Sequence, residues 1–347
     1  MSDPVVVCIH HPARPDIERL RACVEALDRA IEIECVPYKE TLPVRSARAH
    51  PPLTPEVAAR VSEPSEAVRE AWSRAEVLLA LDLPAEHLAL LPRLRWVQLY
   101  SSGLDHIDSS AFEAAGIRLT SAAGVAATSI AEFVMARLLE VWKQLRAIEA
   151  MQRKRAMQRP AARLLSGSTL GVVGFGAIGR AVAECAHALG MRVRAVRKHP
   201  QRDPKPAFLE SLGGTEALPE LLSACDAVVL CAPATQETAN LIDAKALGRM
   251  APGSVLCNVA RGSLVDELAL VDALASGRLG AAILDVTREE PLPPDSPLWN
   301  TENLYLSPHC AVSPEAYESR LVDLFAENLR RYVAEKPLLN QVESGSS

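Results

Sequence analysis

The sequence predicts an α/β protein made of two doubly wound parallel-sheet domains, and three observations carry that expectation. Short β-branched runs alternate with amphipathic helical stretches along most of the chain, the pattern of a parallel layered sheet. Several of these runs are apolar throughout, as strands buried on both faces must be. At 347 residues the chain is also too long for one ordinary core, and two domains are its natural division.

The elements follow in order. Residues 4–9, PVVVCI, read as a buried strand, and 16–30 carry Ile17, Leu20, Val24 and Leu27 at helical spacing. Residues 41–66 hold Pro43, Pro51, Pro52, Pro55 and Pro64 and read as an irregular connection. Strands are expected at 76–81 and 95–99, the second followed by the turn-like SSGLDHID. One long helix is expected over 127–150, with Ile130, Val134, Leu138, Val141 and Leu145 near one side, and its polar tail leads into a second α/β region. There, strands are expected at 169–173, 192–196, 226–231, 254–258, 281–286 and 303–307, with a helix at 177–189. A last helix over 314–335 follows Pro314 and places Leu321, Leu324, Phe325 and Leu329 on one face. The final ESGSS reads as a frayed tail.

Composition narrows the function classes. With 49% hydrophobic and 23% charged residues the chain has a globular profile, and with 4% aromatics its core must be built from Ala, Val, Leu and Ile. A net charge of -6 argues against a general nucleic-acid or anionic-membrane surface, while leaving room for a local basic pocket. None of the eight cysteines forms a CxxC pair, so they read as reduced, mostly buried thiols, with no metal site. The N-terminus lacks a basic region followed by a long apolar stretch, and no run of about 18 apolar residues is present. A cytoplasmic protein is expected.

The strongest motif is Gly174-Phe175-Gly176-Ala177-Ile178-Gly179, a GxGxxG between a strand and a helix. The first glycine allows a tight turn, the second lets a pyrophosphate approach the backbone, and the third lets helix and strand pack closely. N–H groups at the helix start supply the anion site, which predicts a Rossmann dinucleotide-binding domain. The next strand should end in an acidic residue that holds the ribose hydroxyls. It ends instead in Val196-Arg197-Lys198-His199, with Arg202 close behind. A guanidinium pairs with a 2′-phosphate, so NADP is favoured over NAD, the bland alternative being a solvated basic loop.

Arg261 in NVARGSLVDE, Glu290 in DVTREEP and His309 in LSPHCAV each lie just past the C-terminal end of an expected strand, where ligands of open parallel sheets bind. Singly, each has an ordinary surface or structural reading. Together, beside a dinucleotide fingerprint, they supply the roles that carbonyl reduction needs.

Taken in order and spacing, GVVGFGAIGRAVA, CAPATQETANLI, NVARGSLVDELALVDAL, AAILDVTREEPLPPDSPLW and SPHCAVSPEA resemble the D-isomer-specific 2-hydroxyacid dehydrogenase family, in particular its glyoxylate/hydroxypyruvate reductase-like members. The likeness runs from SSGLDHID to PLLNQV; the first hundred residues match more loosely. It implies a discontinuous, flavodoxin-like substrate domain of residues 1–118 and 308–347, a Rossmann domain of residues 119–307, a cofactor cleft between them, and a homodimer formed through the cofactor domains. Carried onto matching positions, Arg261 clamps the substrate carboxylate and polarises the carbonyl. His309, as imidazolium, donates a proton to the developing alkoxide, and Glu290 favours the protonated ring. Ser101, Ser102, Gly103 and Leu104 would hold the other side of the carboxylate. Asp285 would face the nicotinamide carboxamide. Ala232 and Pro233 would line the adenosine side, with Val259 and Ala260 also against the cofactor.

The chain departs from the family at Arg197 and in QRKRAMQRPAAR, a segment without the aromatic residue that relatives often carry there. Cys310, beside His309, reads as a small lining residue rather than a reactive thiol, and His106 as a residue packed in its loop. The expected activity is NADPH-dependent reduction of a small 2-oxoacid. The alternatives are NAD-dependent oxidation of a D-2-hydroxyacid, or a non-catalytic dinucleotide-sensing, corepressor-like scaffold.

Overall fold

A computed structural model describes residues 3–10, 16–25, 27–48, 53–104 and 106–342. It divides into two compact units, one comprising the described residues up to Val125 together with those from Pro314 onward, the other running from Ala126 to Ser313.

The first unit opens with β1 (Val5–His10), buried along its whole length, then α1 (Ile17–Val24) and β2 (Ile31–Cys35). Next come α2 (Leu42–Arg48), α3 (Pro55–Ala58), α4 (Glu66–Arg74), β3 (Val77–Ala80), β4 (Trp96–Leu99), α5 (Ser109–Ala114) and β5 (Arg118–Thr120). The strands form one parallel sheet in the order β2-β1-β3-β4-β5, the flavodoxin-like arrangement. One face buries Trp72, Phe112, Val97 and Leu99, and the other buries Val5, Val7, Ile9 and Trp96.

The second unit holds α6 (Ala127–Trp142), α7 (Leu145–Arg153), β6 (Thr169–Val173), α8 (Ala177–Ala188), β7 (Arg192–Val196) and β8 (Leu209–Gly213). It continues with α9 (Leu218–Ala224), β9 (Ala227–Leu230), α10 (Ala244–Arg249), β10 (Ser254–Asn258), α11 (Glu267–Ala275), β11 (Leu279–Leu284) and β12 (Leu304–Leu306). Its seven strands run parallel in the order β12-β11-β10-β9-β6-β7-β8, which is the Rossmann order extended by one strand. The order reverses between β6 and β9, so a crevice is expected at the carboxyl ends of those two strands. The chain then returns to the first unit as α12 (Pro314–Val333), whose Leu321, Val322, Phe325 and Leu329 cover the β1/β4 face.

The structure departs from the sequence reading at identifiable places. The 41–66 connection contains α2 and α3: Thr54 caps Val57 N–H, and Pro55 opens α3 at a position where proline is tolerated. The expected helix over 127–150 is two helices, broken where Gln144 adopts φ 57°. A division at 118/119 would cut β5, which lies wholly in the first unit. Among the described residues no helix is long and apolar enough to cross a membrane, and no group of three or more His, Cys, Asp or Glu is placed to hold a metal ion.

Candidate active site

The turn after β6 is built by its glycines. Gly174 has φ 94°, and a Cβ there would stand 2.5 Å from the Ala232 nitrogen, so the turn closes against the chain leaving β9 only because the side chain is absent. A Cβ on Gly179 would overlap the Gly174 carbonyl oxygen, which presses the start of α8 onto β6. Gly176 differs: a Cβ there would meet nothing within 4 Å, and both Gly176 and Ala177 are exposed at the head of the 12-residue α8. Two glycines thus shape the turn and one leaves it open, which fits a pyrophosphate laid against the helix N-terminus. Phe175 is buried under the Arg180 guanidinium, and Ile178 is half-buried. Ala232 is partly exposed and Pro233 exposed beside the turn, while Val259 and Ala260 are buried.

At the end of β7, Arg197 N–H donates to the Gly213 carbonyl at 3.0 Å, and its guanidinium pairs with Asp203 at 3.0 Å. Lys198 pairs with Glu237 at 2.6 Å.

Arg261, Glu290 and His309 follow the carboxyl ends of β10, β11 and β12. Asn258, fully buried at the end of β10, shapes the first of these loops: its Nδ2 donates to the Arg261 carbonyl at 2.8 Å and its Oδ1 accepts from Ala260 N–H at 3.0 Å. Gly262 then abuts the backbone of Thr287 and Arg288 so closely that a Cβ would overlap the Thr287 carbonyl group. The Arg261 loop and the Glu290 loop are therefore in direct backbone contact. Arg288 ties them further, its N–H donating to Glu267 at 2.6 Å and its guanidinium to the Val265 carbonyl at 2.7 Å and to Asn240.

Glu290 Oε1 accepts from Thr287 N–H at 3.1 Å, and its Oε2 lies 2.9 Å from His309 Nδ1. With Nδ1 carrying a proton, the ring donates to the carboxylate and Nε2 is left for substrate. The pair is half-buried, with side-chain exposures of 51% for His309 and 41% for Glu290. The hydrogen bond to Glu290 raises the His309 pKa against the opposing effect of burial, helped by the charges of Glu290 and Asp285 and opposed by Arg261. Burial would raise the Glu290 pKa, but the bond and charge of His309 outweigh it and hold the carboxyl below its usual range. The arrangement favours an imidazolium beside a carboxylate, which is a poised proton donor.

Asp285, expected to face the nicotinamide carboxamide, also holds the backbone around His309. Its carboxylate, 2% exposed, accepts from Ser307 Oγ at 2.8 Å, Cys310 N–H at 3.0 Å and Ala311 N–H at 3.1 Å. Its carbonyl accepts His309 N–H at 2.8 Å. His309 itself sits at φ 51°, in the left-handed region that non-glycine residues seldom occupy. Asp285 therefore anchors the backbone that aims the imidazole. Burial and Asp285 raise the Cys310 pKa, which fits a lining residue rather than an activated thiol.

Ser101, Ser102, Gly103 and Leu104 lie in the first unit, in the loop after β4. There Ser102 Oγ donates to the Ala122 carbonyl at 2.8 Å, and Leu104 packs against the Trp72 core. His106 stands 3.1 Å from the Leu81 carbonyl in the same unit. Asn258 and Gly262 escaped the sequence reading; their sequence signal is the run Asn258-Val259-Ala260-Arg261-Gly262, which closes an apolar strand.

Comparison with known proteins bears on this geometry. The family model described as D-isomer specific 2-hydroxyacid dehydrogenase, NAD binding domain, matches residues 135–311. Glyoxylate reductase of Korarchaeum cryptofilum is 36% identical over 260 residues, covering 73% of this chain and 77% of that protein. (S)-sulfolactate dehydrogenase of Chromohalobacter salexigens is 38% identical over 250 residues, covering 71% and 80%. Among solved structures, a D-isomer specific 2-hydroxyacid dehydrogenase of Xanthobacter autotrophicus Py2 in complex with NADPH and MES superposes with a TM-score of 0.72 at 26% identity, covering 97% of this chain and 98% of that one.

Proposed function

The chain belongs to the D-isomer specific 2-hydroxyacid dehydrogenase family of NAD(P)-dependent oxidoreductases, and from that premise we propose that it reduces a small 2-oxoacid of the glyoxylate or hydroxypyruvate type with NADPH. The observation that carries this reading is the half-buried His309–Glu290 pair at 2.9 Å, biased towards the protonated ring and seated beside the Arg261 loop.

The nicotinamide, when bound, supplies the hydride; the protein supplies the rest. Arg261 meets the substrate carboxylate with a planar fork and draws electron density from the adjacent carbonyl. His309 Nε2 gives its proton to the carbonyl oxygen as negative charge develops there, and Glu290 balances the ring's charge until that transfer. In the oxidative direction the neutral ring accepts the proton back. Gly174, Gly176 and Gly179 shape the pyrophosphate site, and Arg197 and Lys198 meet the 2′-phosphate, which is the basis for NADPH over NADH.

A homodimer formed through the second unit completes the proposal, supported by exposed Leu145, Ile148, Met157 and Leu164 on and after α7. A cytoplasmic location is proposed with it. The test is an absorbance assay of NADPH and NADH oxidation against glyoxylate, hydroxypyruvate, and 2-oxoacids bearing a second anionic group. Turnover of the first two with NADPH is expected. Tight cofactor binding without turnover of any acid would overturn the enzymatic reading in favour of a dinucleotide sensor.

A further inference from the structure

We infer that Asp203 sets how strongly this protein prefers a phosphorylated cofactor, because its carboxylate holds Arg197 and competes with the 2′-phosphate for that guanidinium. The inference rests on the reading of Arg197 as the phosphate partner. It adds a determinant that the strand-end pattern alone does not contain.

Position comes first. The backbone of Arg197 is tied to the sheet by its N–H bond to Gly213, so only its side chain is free to choose partners. That side chain is 14% exposed, whereas Asp203 is 52% exposed. The guanidinium is the enclosed member of the pair, and the carboxylate lies on the solvent side. An incoming phosphate can therefore displace Asp203 into water while the guanidinium stays where it is.

The loop between them is short and stiff. Pro200 opens a single 3-10 turn through Arg202, and Asp203 follows at φ −137°, ψ 150°, the extended backbone that Pro204 imposes on its predecessor. The carboxylate is thus preset to reach back to Arg197. Lys198 and Glu237 form a comparable pair, but at 62% and 68% exposure both ends are well hydrated, and such pairs contribute little. The charge at Arg197 decides the selection.

The consequence follows from Coulomb attraction and repulsion. A 2′-phosphate must break the Arg197–Asp203 pair and then sit near the displaced carboxylate, a like charge. A 2′-hydroxyl needs neither. Neutralising Asp203 removes both penalties for the phosphorylated cofactor, worth about three- to tenfold in relative affinity at a partly exposed pair.

The test titrates 2′,5′-ADP and ADP calorimetrically into the native protein and into D203N, D203S and R197A, with kcat/KM for NADPH and NADH measured alongside. In both Asp203 variants the preference for 2′,5′-ADP over ADP should rise about three- to tenfold, and the NADPH/NADH ratio should follow. In R197A that preference should collapse. An unchanged preference in D203N and D203S, with R197A impaired, overturns the role of Asp203 and leaves the Arg197 reading standing. An R197A protein that binds 2′,5′-ADP as the native protein does removes the Arg197 reading, and the inference with it.

Discussion

At the strand ends of the first unit, charge is closed on itself. Glu40, 1% exposed, takes both Arg48 Nε at 2.6 Å and Nη2 at 2.9 Å; Arg48 also reaches Glu86, and Arg45 pairs with Asp82, likewise 1% exposed. At the strand ends of the second unit, charge is left half open. Glu290 has one oxygen on Thr287 N–H and the other on His309, and both side chains keep about half their surface. A search for clustered charges alone would choose the first region. What favours the second as the proposed chemical one is that its pair includes an imidazole, a side chain whose ordinary pKa lies near neutrality and is raised here, and that Glu290 engages only its Nδ1.

The largest expected effect tests the open region. His309→Ala should lower the rate of 2-oxoacid reduction by about 10²–10⁴-fold, the usual scale of a general acid. Cofactor affinity, read by fluorescence titration, should stay within about twofold, because the glycine turn is untouched. Undiminished turnover would remove His309 from the mechanism.

The closed region should respond in stability. Arg48→Ala leaves the buried Glu40 carboxylate without its main partner, and breaking such a pair costs about 3 kcal/mol or more. Urea unfolding should register that loss as a lower midpoint at unchanged slope. A midpoint equal to the native one would mean that the first-unit cluster is solvated in solution, and the contrast between the two regions would fail.

Gly262→Ala probes the contact between the Arg261 and Glu290 loops. A Cβ must push the Thr287 carbonyl away, so stability should fall by about 1–3 kcal/mol, with a rate loss larger than the loss in cofactor affinity. Equal losses in both would show that the contact supports the unit generally and not the pair.

These regions also differ in how far they can be read from residues alone. β6, β7 and β10 fall at 169–173, 192–196 and 254–258 as expected, because apolar runs bounded by turns have few alternatives. β2 has no clear strand signal because IEIEC alternates charged and apolar residues at a sheet edge, β5 because it is three residues long, and β8 because LESLG carries polar, exposed residues between a buried Leu209 and a half-buried end. Nothing in the residues at 143–145 announces the helix break at Gln144; that turn has no glycine or proline. In the proposed site, Arg261, Glu290 and His309 can be singled out from the sequence because each follows an expected strand. The anchoring role of Asp285 cannot, since it depends on which N–H groups converge on a buried carboxylate. The Arg45–Asp82 and Arg48–Glu40 pairs join residues 8 to 37 positions apart, and no local pattern encodes them.

The smallest effect is the most discriminating, because it asks whether the half-open pair works by charge. Glu290→Gln keeps an acceptor for His309 Nδ1 but turns the hydrogen bond to the ring into a neutral one and removes the negative charge, the two ways in which Glu290 raises the ring's pKa. The folded-state pKa of His309 should then fall towards its ordinary value. Reduction requires the imidazolium, so activity in that direction is present below the His309 pKa and lost as pH rises through it. In the variant this decline must begin at lower pH, leaving a deficit on the alkaline side that is larger than any deficit in acid. In the oxidative direction the neutral ring is the active form, so the variant's rising limb should also move to lower pH. A pH-rate profile measured in both directions checks this. If the limbs stay where they are while the rate drops uniformly, Glu290 orients the ring without setting its charge, and the electrostatic distinction between the two regions reduces to one of exposure.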